Sequence, residues 1–196
     1  MRESEQTRKS KETDIAVTLV LDGSGKADIS TGIGFFDHML TAFAVHGGFN
    51  LTVKAAGDLE VDCHHTVEDT GIVLGRAFAE ALGDKSGIRR YGSFTIPMDE
   101  ALAFAAVDVS GRPFLVFDCP FGGERIGGLD TEMVSEFFRA FAFWAGITLH
   151  IKLWYGANDH HKCEAVFKAA AHALCVAVEK AERNEGKTLS TKGILD

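Results

Sequence analysis

The four cysteines, Cys63, Cys119, Cys163 and Cys175, form no C-x-x-C pair and show no spacing typical of a disulfide framework. A reducing, cytoplasmic setting is therefore the expectation. Positive charge is not in excess either, since the formal net charge is -8. A general nucleic-acid binder needs a basic surface to neutralise phosphates, so that class is excluded, though a few local Arg or Lys side chains could still hold a small anion. No apolar run approaches the roughly 20 residues needed to cross a bilayer. The first twelve residues, MRESEQTRKSKE, lack the apolar centre of a secretory signal. What remains is ordinary globular material, 46% hydrophobic and 24% charged over 196 residues. That length suits one good core or two small fused halves.

The chain is written twice. With Leu51 placed over Leu149, Ala42, Phe43, Ala44, Gly48 and Lys54 fall on Ala140, Phe141, Ala142, Gly146 and Lys152. After two residues are removed from the first copy, His64, His65 and Glu68 fall on His160, His161 and Glu164. DGSGK at 22–26 matches DVSGR at 108–112. The halves divide near 1–92 and 93–196, forming one compact unit.

Each half reads as strands followed by helices. IAVTLVLDGSGKADIST alternates around a Gly-Ser-Gly turn, which predicts a β-hairpin. GFFDHMLTAFAVHGG has helical spacing and stops at a glycine pair, FNLTVKAAG reads as a strand, and HHTVEDTGIVLGRAFAEALG as a second helix. ALAFAAVDVSGRPFLVFD, TEMVSEFFRAFAFWAG, ITLHIKLWYG and HHKCEAVFKAAAHALCVAVEKAE repeat the order. The expected fold class is α+β, an internal duplication in which each half is a β-sheet with two helices packed on one face. The polar end NEGKTLSTKGILD belongs on the surface.

The chemistry lies in the doubled HHxxE. Residues four apart share a helix face, so His64 with Glu68, and His160 with Glu164, can converge on one cation. His65 and His161 are turned about 100° from their neighbours and point elsewhere. Two metals, each taking a His/Glu pair from one copy and the stray histidine of the other, satisfy this pattern. His38 and Glu136 share a slot upstream of the inner strand and could each supply a further ligand. Imidazole with carboxylate suits Mn, Fe, Zn or Co, and octahedral coordination would favour Mn over tetrahedral Zn. A single HHxxE is more often a polar helix start, and its acid is expected near a helix N-terminus from the dipole alone. Two copies in register change that balance. Cys63 and Cys163 do not align and read as incidental. His172, on an alanine-rich stripe, reads as packed or surface, and His150, opposite Thr52, stays outside the ligand set.

GFFDHML followed by a histidine, HHTVEDTGIVLG, GRPF, NDHHKCEAVFKA and STKG resemble the imidazoleglycerol-phosphate dehydratases of histidine biosynthesis. The resemblance runs from about Arg8 to Gly193. It implies a dinuclear manganese site built between subunits and a hollow 24-subunit assembly formed from trimers. The metal ligands it implies are His38, His64, His65, Glu68, Glu136, His160, His161 and Glu164. Glu136 departs from the pattern, because many members have histidine there. The implied substrate contacts are Glu12, His46, Arg90, Arg112, Lys168, Ser190, Thr191 and Lys192, beside the ring-side residues His38, His64, His65 and Glu68. Thr191 stands where many relatives have serine and keeps the hydroxyl.

The implied reaction removes water from imidazole glycerol phosphate to give imidazole acetol phosphate. The proton lost from C2 is not adjacent to a carbonyl, and the ring itself can act as the electron reservoir. Coordination of both ring nitrogens would stabilise an imidazolate, which expels the neighbouring hydroxyl to give a diazafulvene-like intermediate. Glu12, His46 and Lys168 are the candidate acid–base residues. Taken alone, Glu12 reads as a solvated tail residue, His46 as a helix C-terminal histidine, and Lys168 as an i,i+4 partner of Glu164. Arg90, Arg112, Ser190 and Lys192 would hold the phosphate. A dinuclear metallohydrolase and a metal-storing cage protein are the competing readings of the doubled motif.

Overall fold

The structure is a computed structural model, and it describes residues 1–193 and Leu195. Two four-stranded sheets share one plan. In the first, β1 (Glu3–Lys9), β2 (Thr13–Val20), β4 (Asn50–Gly57) and β3 (Ala27–Ser30) lie in the spatial order β1-β2-β4-β3. In the second, β5 (Tyr91–Met98), β6 (Ala101–Asp108), β10 (Thr148–Tyr155) and β7 (Phe114–Asp118) lie in the order β5-β6-β10-β7. Helices α1 (Gly34–Gly47) and α2 (His64–Leu82) belong to the first half, α3 (Glu132–Ala145) and α4 (Asp159–Val178) to the second. A short ribbon of β8 (Arg125–Ile126) and β9 (Leu129–Asp130) precedes α3. The expected α+β duplication is therefore present. The second sheet begins at Tyr91, two residues before the division drawn from sequence.

The hairpin expected around Gly-Ser-Gly does not form. β4 inserts between β2 and β3, pairing antiparallel with the former and parallel with the latter. Parallel neighbours need a crossover, and α1 supplies it. The turn is fastened to the incoming strand, since Asn50 Oδ1 accepts from Ser24 N at 2.8 Å and Lys26 N at 3.1 Å. In the second half β7, α3 and β10 form the same unit.

The polar N-terminal stretch is not the tail that Glu12, taken alone, suggested. It forms β1, an edge strand paired with β2 along its whole length. Its inward side chains are polar because they meet polar groups of α2. Arg8 Nε pairs with the buried Asp69 at 2.9 Å, and Thr13 Oγ1 donates to the same carboxylate at 2.6 Å.

Helices pair between halves: α1 packs on α4 and α2 on α3. The core between them is aromatic. Phe36 of α1 meets Phe137 of α3 edge-on at 5.3 Å, and Phe137 stacks on Phe167 of α4 at 5.4 Å. Phe141 of α3 meets Phe78 of α2 at 5.6 Å and Phe43 of α1 at 6.1 Å. All six rings are fully buried, each worth roughly 1.5–3 kcal/mol in transfer terms, so all four helices are locked to one core. Glycine sets the closest approach. A Cβ on Gly71 of α2 would lie 2.7 Å from the Phe137 carbonyl, and one on Gly75 would lie 2.7 Å from that of Phe141. The four cysteines are free. No helix among the described residues is long and apolar enough to cross a membrane.

Candidate metal centre

Helix ends position the donors. Asn158 caps α4 by accepting from His161 N at 3.2 Å, so His160 and Glu164 stand one turn apart on its first two turns. Thr31 fastens the entry to α1 by donating both N–H and Oγ1 to Asp37 Oδ1, at 2.8 and 2.6 Å, next to His38. Because α1 lies on α4, three donors from both halves converge. Glu164 Oε2 is 3.3 Å from His38 Nε2 and 3.3 Å from His160 Nε2. Among the described residues this is the one group of three His, Cys, Asp or Glu side chains whose donor atoms all lie within 4.8 Å. Two imidazole nitrogens and a carboxylate oxygen are a fitting donor set for a divalent transition metal. Lys168 takes the other carboxylate oxygen at 2.6 Å, the i,i+4 contact expected of it. Burial pushes the Glu164 carboxyl up, but Lys168 and His38 outweigh it and hold it below its usual value.

The second half-site is arranged differently. His64 Nε2 lies 3.5 Å from Glu68 Oε2, as the helical spacing predicts. Glu136 approaches them through an intermediary, because Arg139 donates Nε to Glu136 Oε2 at 2.6 Å and reaches Glu68 Oε1 at 2.7 Å. Those contacts, Glu136 first, raise the Arg139 pKa further.

His65 and His161 face away from these groups, as their rotation requires. Each is held at Nδ1 by a loop carboxylate, His65 by Asp58 at 3.0 Å and His161 by Glu100 at 2.7 Å. The carboxylates raise both histidine pKa values. A carboxylate at Nδ1 fixes the proton there and leaves the Nε2 lone pair for a cation, although His161 Nε2 also lies 3.5 Å from Asp99. Glu12 sits in the β1–β2 turn, and its charge adds to the upward shift of His65. His46, in the last turn of α1, lies 5.5 Å from His172, which in turn stacks on Phe94 at 4.6 Å. Burial, then Lys168 and His172, push the His46 pKa down.

A family model for imidazoleglycerol-phosphate dehydratase matches residues 31–174. The imidazoleglycerol-phosphate dehydratase of Acetivibrio thermocellus is 60% identical over 194 residues, covering 99% of this chain and 99% of that protein. That of Thermoanaerobacter pseudethanolicus is 60% identical over 195 residues, covering 100% of both. Among solved structures, the Staphylococcus aureus enzyme superposes with a TM-score of 0.83 at 42% identity, covering 91% of this chain and 99% of that one. The Pyrococcus furiosus enzyme, solved in complex with (S)-C348, gives 0.82 at 38% identity, covering 96% and 99%. The chain belongs to the imidazoleglycerol-phosphate dehydratase family. It is a hydro-lyase of histidine biosynthesis.

In this dehydratase the phosphate candidates gather apart from the histidines. Arg90, Arg112, Ser190, Thr191 and Lys192 line one cavity of about 570 Å³. Arg90 is its fixed wall, bonded to Asp108 through Nε at 2.7 Å and NH2 at 3.0 Å, and donating NH1 to the Leu189 carbonyl at 2.5 Å. Arg112 is the exposed cation, its side chain 59% exposed. Sequence reasoning missed Arg139, Asp58 and Glu100. Arg139 stands three residues after Glu136, an i,i+3 signal legible in the sequence, whereas the two loop carboxylates carry no spacing signal.

Proposed function

We propose that the chain converts imidazole glycerol phosphate to imidazole acetol phosphate in the cytoplasm, by the diazafulvene-like route, at a site that takes two Mn²⁺ ions. The observation that carries this reading is the convergence of His38, His160 and Glu164 from two repeats on one position. Bound there and at the second half-site, the cations would stabilise the substrate's imidazolate, because a cation lowers the pKa of its ligand.

The protein's own groups do the rest. Arg90, Arg112 and Lys192 supply charge, and Ser190 and Thr191 supply hydroxyls, to a phosphate in the cavity they line. His46, whose pKa burial and then Lys168 push down, favours the neutral ring and is a proton acceptor in this scheme. Glu12 and Lys168 complete the acid–base set, with Lys168 also holding Glu164 in place. His65 and His161 are each held at Nδ1 by a carboxylate outside their own half-sites, which supports ligation through Nε2 of ions held by neighbouring subunits in a 24-subunit assembly.

The test is metal-stripped protein given Mn²⁺ and imidazole glycerol phosphate, with ketone formation and particle mass followed together. Turnover that requires Mn²⁺ and disappears in His64→Ala and His160→Ala supports the reading. Metal-driven assembly without ketone formation overturns it.

A further inference from the structure

The two half-sites match up to a point. In each, a cation holds one oxygen of the glutamate and leaves the other towards the histidine. Lys168 takes Glu164 Oε1 at 2.6 Å, and Arg139 takes Glu68 Oε1 at 2.7 Å. They part at the third donor. His38 faces Glu164 directly at 3.3 Å, but its counterpart Glu136 is a carboxylate that would repel Glu68. Arg139 resolves the conflict by bonding both, with Nε on Glu136 Oε2 at 2.6 Å. In repeat register Glu136 falls opposite His38 and Arg139 opposite Thr41, so the extra acid and the extra base occur together. The guanidinium fork is suited to bridging two carboxylates, and charge-assisted bonds of this kind are among the stronger ones.

Resting on the reading of these clusters as metal ligands, we propose that Arg139 is the resident cation of the His64/Glu68/Glu136 half-site. A divalent ion binds there only by displacing Arg139, and the two half-sites therefore load in order, His38/His160/Glu164 first. The exposures fit this division of labour. The Arg139 side chain is 54% exposed and can swing into solvent without stranding a buried charge, whereas Lys168 is 16% exposed and contacts one carboxylate. Once released, Glu136 and Glu68 each regain an oxygen for the incoming ion.

The experiment is a Mn²⁺ titration of the metal-stripped protein, counting free Mn²⁺ by its electron paramagnetic resonance signal and recording particle mass at each step. Wild type should show two classes of equal number, separated by about tenfold or more in affinity. Arg139→Ala should tighten the weaker class by about the same factor and leave the tighter class unmoved. Arg139→Gln, which keeps a hydrogen-bonding side chain without the charge, should behave as Arg139→Ala and serves if the alanine variant does not fold. A single class in wild type, or a weaker class that stays put or is lost in both variants, overturns the inference while leaving the metal reading intact. If no tight class exists and His160→Ala changes nothing, the metal reading falls, and the inference with it.

Discussion

His38 and Glu164 are 126 positions apart in the chain and 3.3 Å apart in the fold. Neither repeat can make this contact alone, because α1 finds its partner helix in the other half. The duplication thus does chemical work as well as structural work. Docking the halves through Phe36, Phe137 and Phe167 is the same event that brings imidazole to carboxylate.

If that triplet holds a cation, its members should be more sensitive than a carboxylate that acts only through another histidine, as Asp58 does through His65. His38→Ala and His160→Ala should each lower Mn²⁺ affinity by more than the 10–100-fold typical of outer contacts, whereas Asp58→Asn should fall within that range. All three side chains are partly exposed, so thermal unfolding of the metal-free proteins should change little. Equal losses of affinity in all three would argue against a direct role for His38 and His160.

Gly71 and Gly75 let α2 approach α3 one and two turns beyond Glu68, so fold and site are coupled there. Alanine is the better helix former by about 1 kcal/mol, which would favour substitution. Its Cβ would lie 2.7 Å from backbone carbonyls that cannot rotate away, and overpacking typically costs about 1–3 kcal/mol. Gly71→Ala should therefore destabilise the protein on balance, measurably in urea unfolding, and should disturb the bridge from Arg139 to Glu68. A variant more stable than wild type would mean that α3 yields easily.

The sequence made legible what is local or repeated. HHxxE places a histidine and a glutamate on one face by helical spacing alone, and repeat register located His38 and Glu136. Strand pairing was not legible in the same way. The partner of β3 is β4, beyond α1, so alternation around Gly-Ser-Gly suggested a hairpin that the crossover forbids. β1 was hidden because an edge strand whose inner face meets Asp69 and Glu80 has no apolar alternation to read. Asp58 and Glu100 were hidden because loop geometry, not spacing, brings them to His65 and His161.

The Glu100–His161 contact predicts a pH dependence for the metal-free protein. The histidine pKa is raised above its ordinary 6.5 by Glu100, so its contribution is complete below that value and fades as pH rises through the folded pKa. The Glu100 carboxyl is lowered from 4.5 to about 2, by the Asn158 N–H and then by His161. Its contribution is present above 4.5 and fades as pH falls towards that lower value. Glu100→Gln should therefore lower Tm most between about pH 4.5 and 6.5, where both partners are charged. The His161 ring resonance in the variant should titrate nearer the ordinary value. A Tm penalty that grows steadily above neutrality would contradict the ion-pair account.

The two arginines of the tail cavity should fail in different ways. Arg112 is 59% exposed and lies 3.7 Å from Asp108, so removing it strands no buried charge. Arg112→Ala should raise KM for imidazole glycerol phosphate by about 10–100-fold, the value of one charge-assisted hydrogen bond, with Tm nearly unchanged. Arg90 is 11% exposed, is bonded twice to Asp108, and also holds the Leu189 carbonyl. Arg90→Ala should cost about 1–3 kcal/mol of stability by leaving Asp108 unpaired, and should loosen the segment carrying Ser190 and Lys192. Steady-state kinetics set beside thermal unfolding separate the two cases. Loss of kcat with unchanged KM in Arg112→Ala would move that residue from phosphate binding to the reacting carbons.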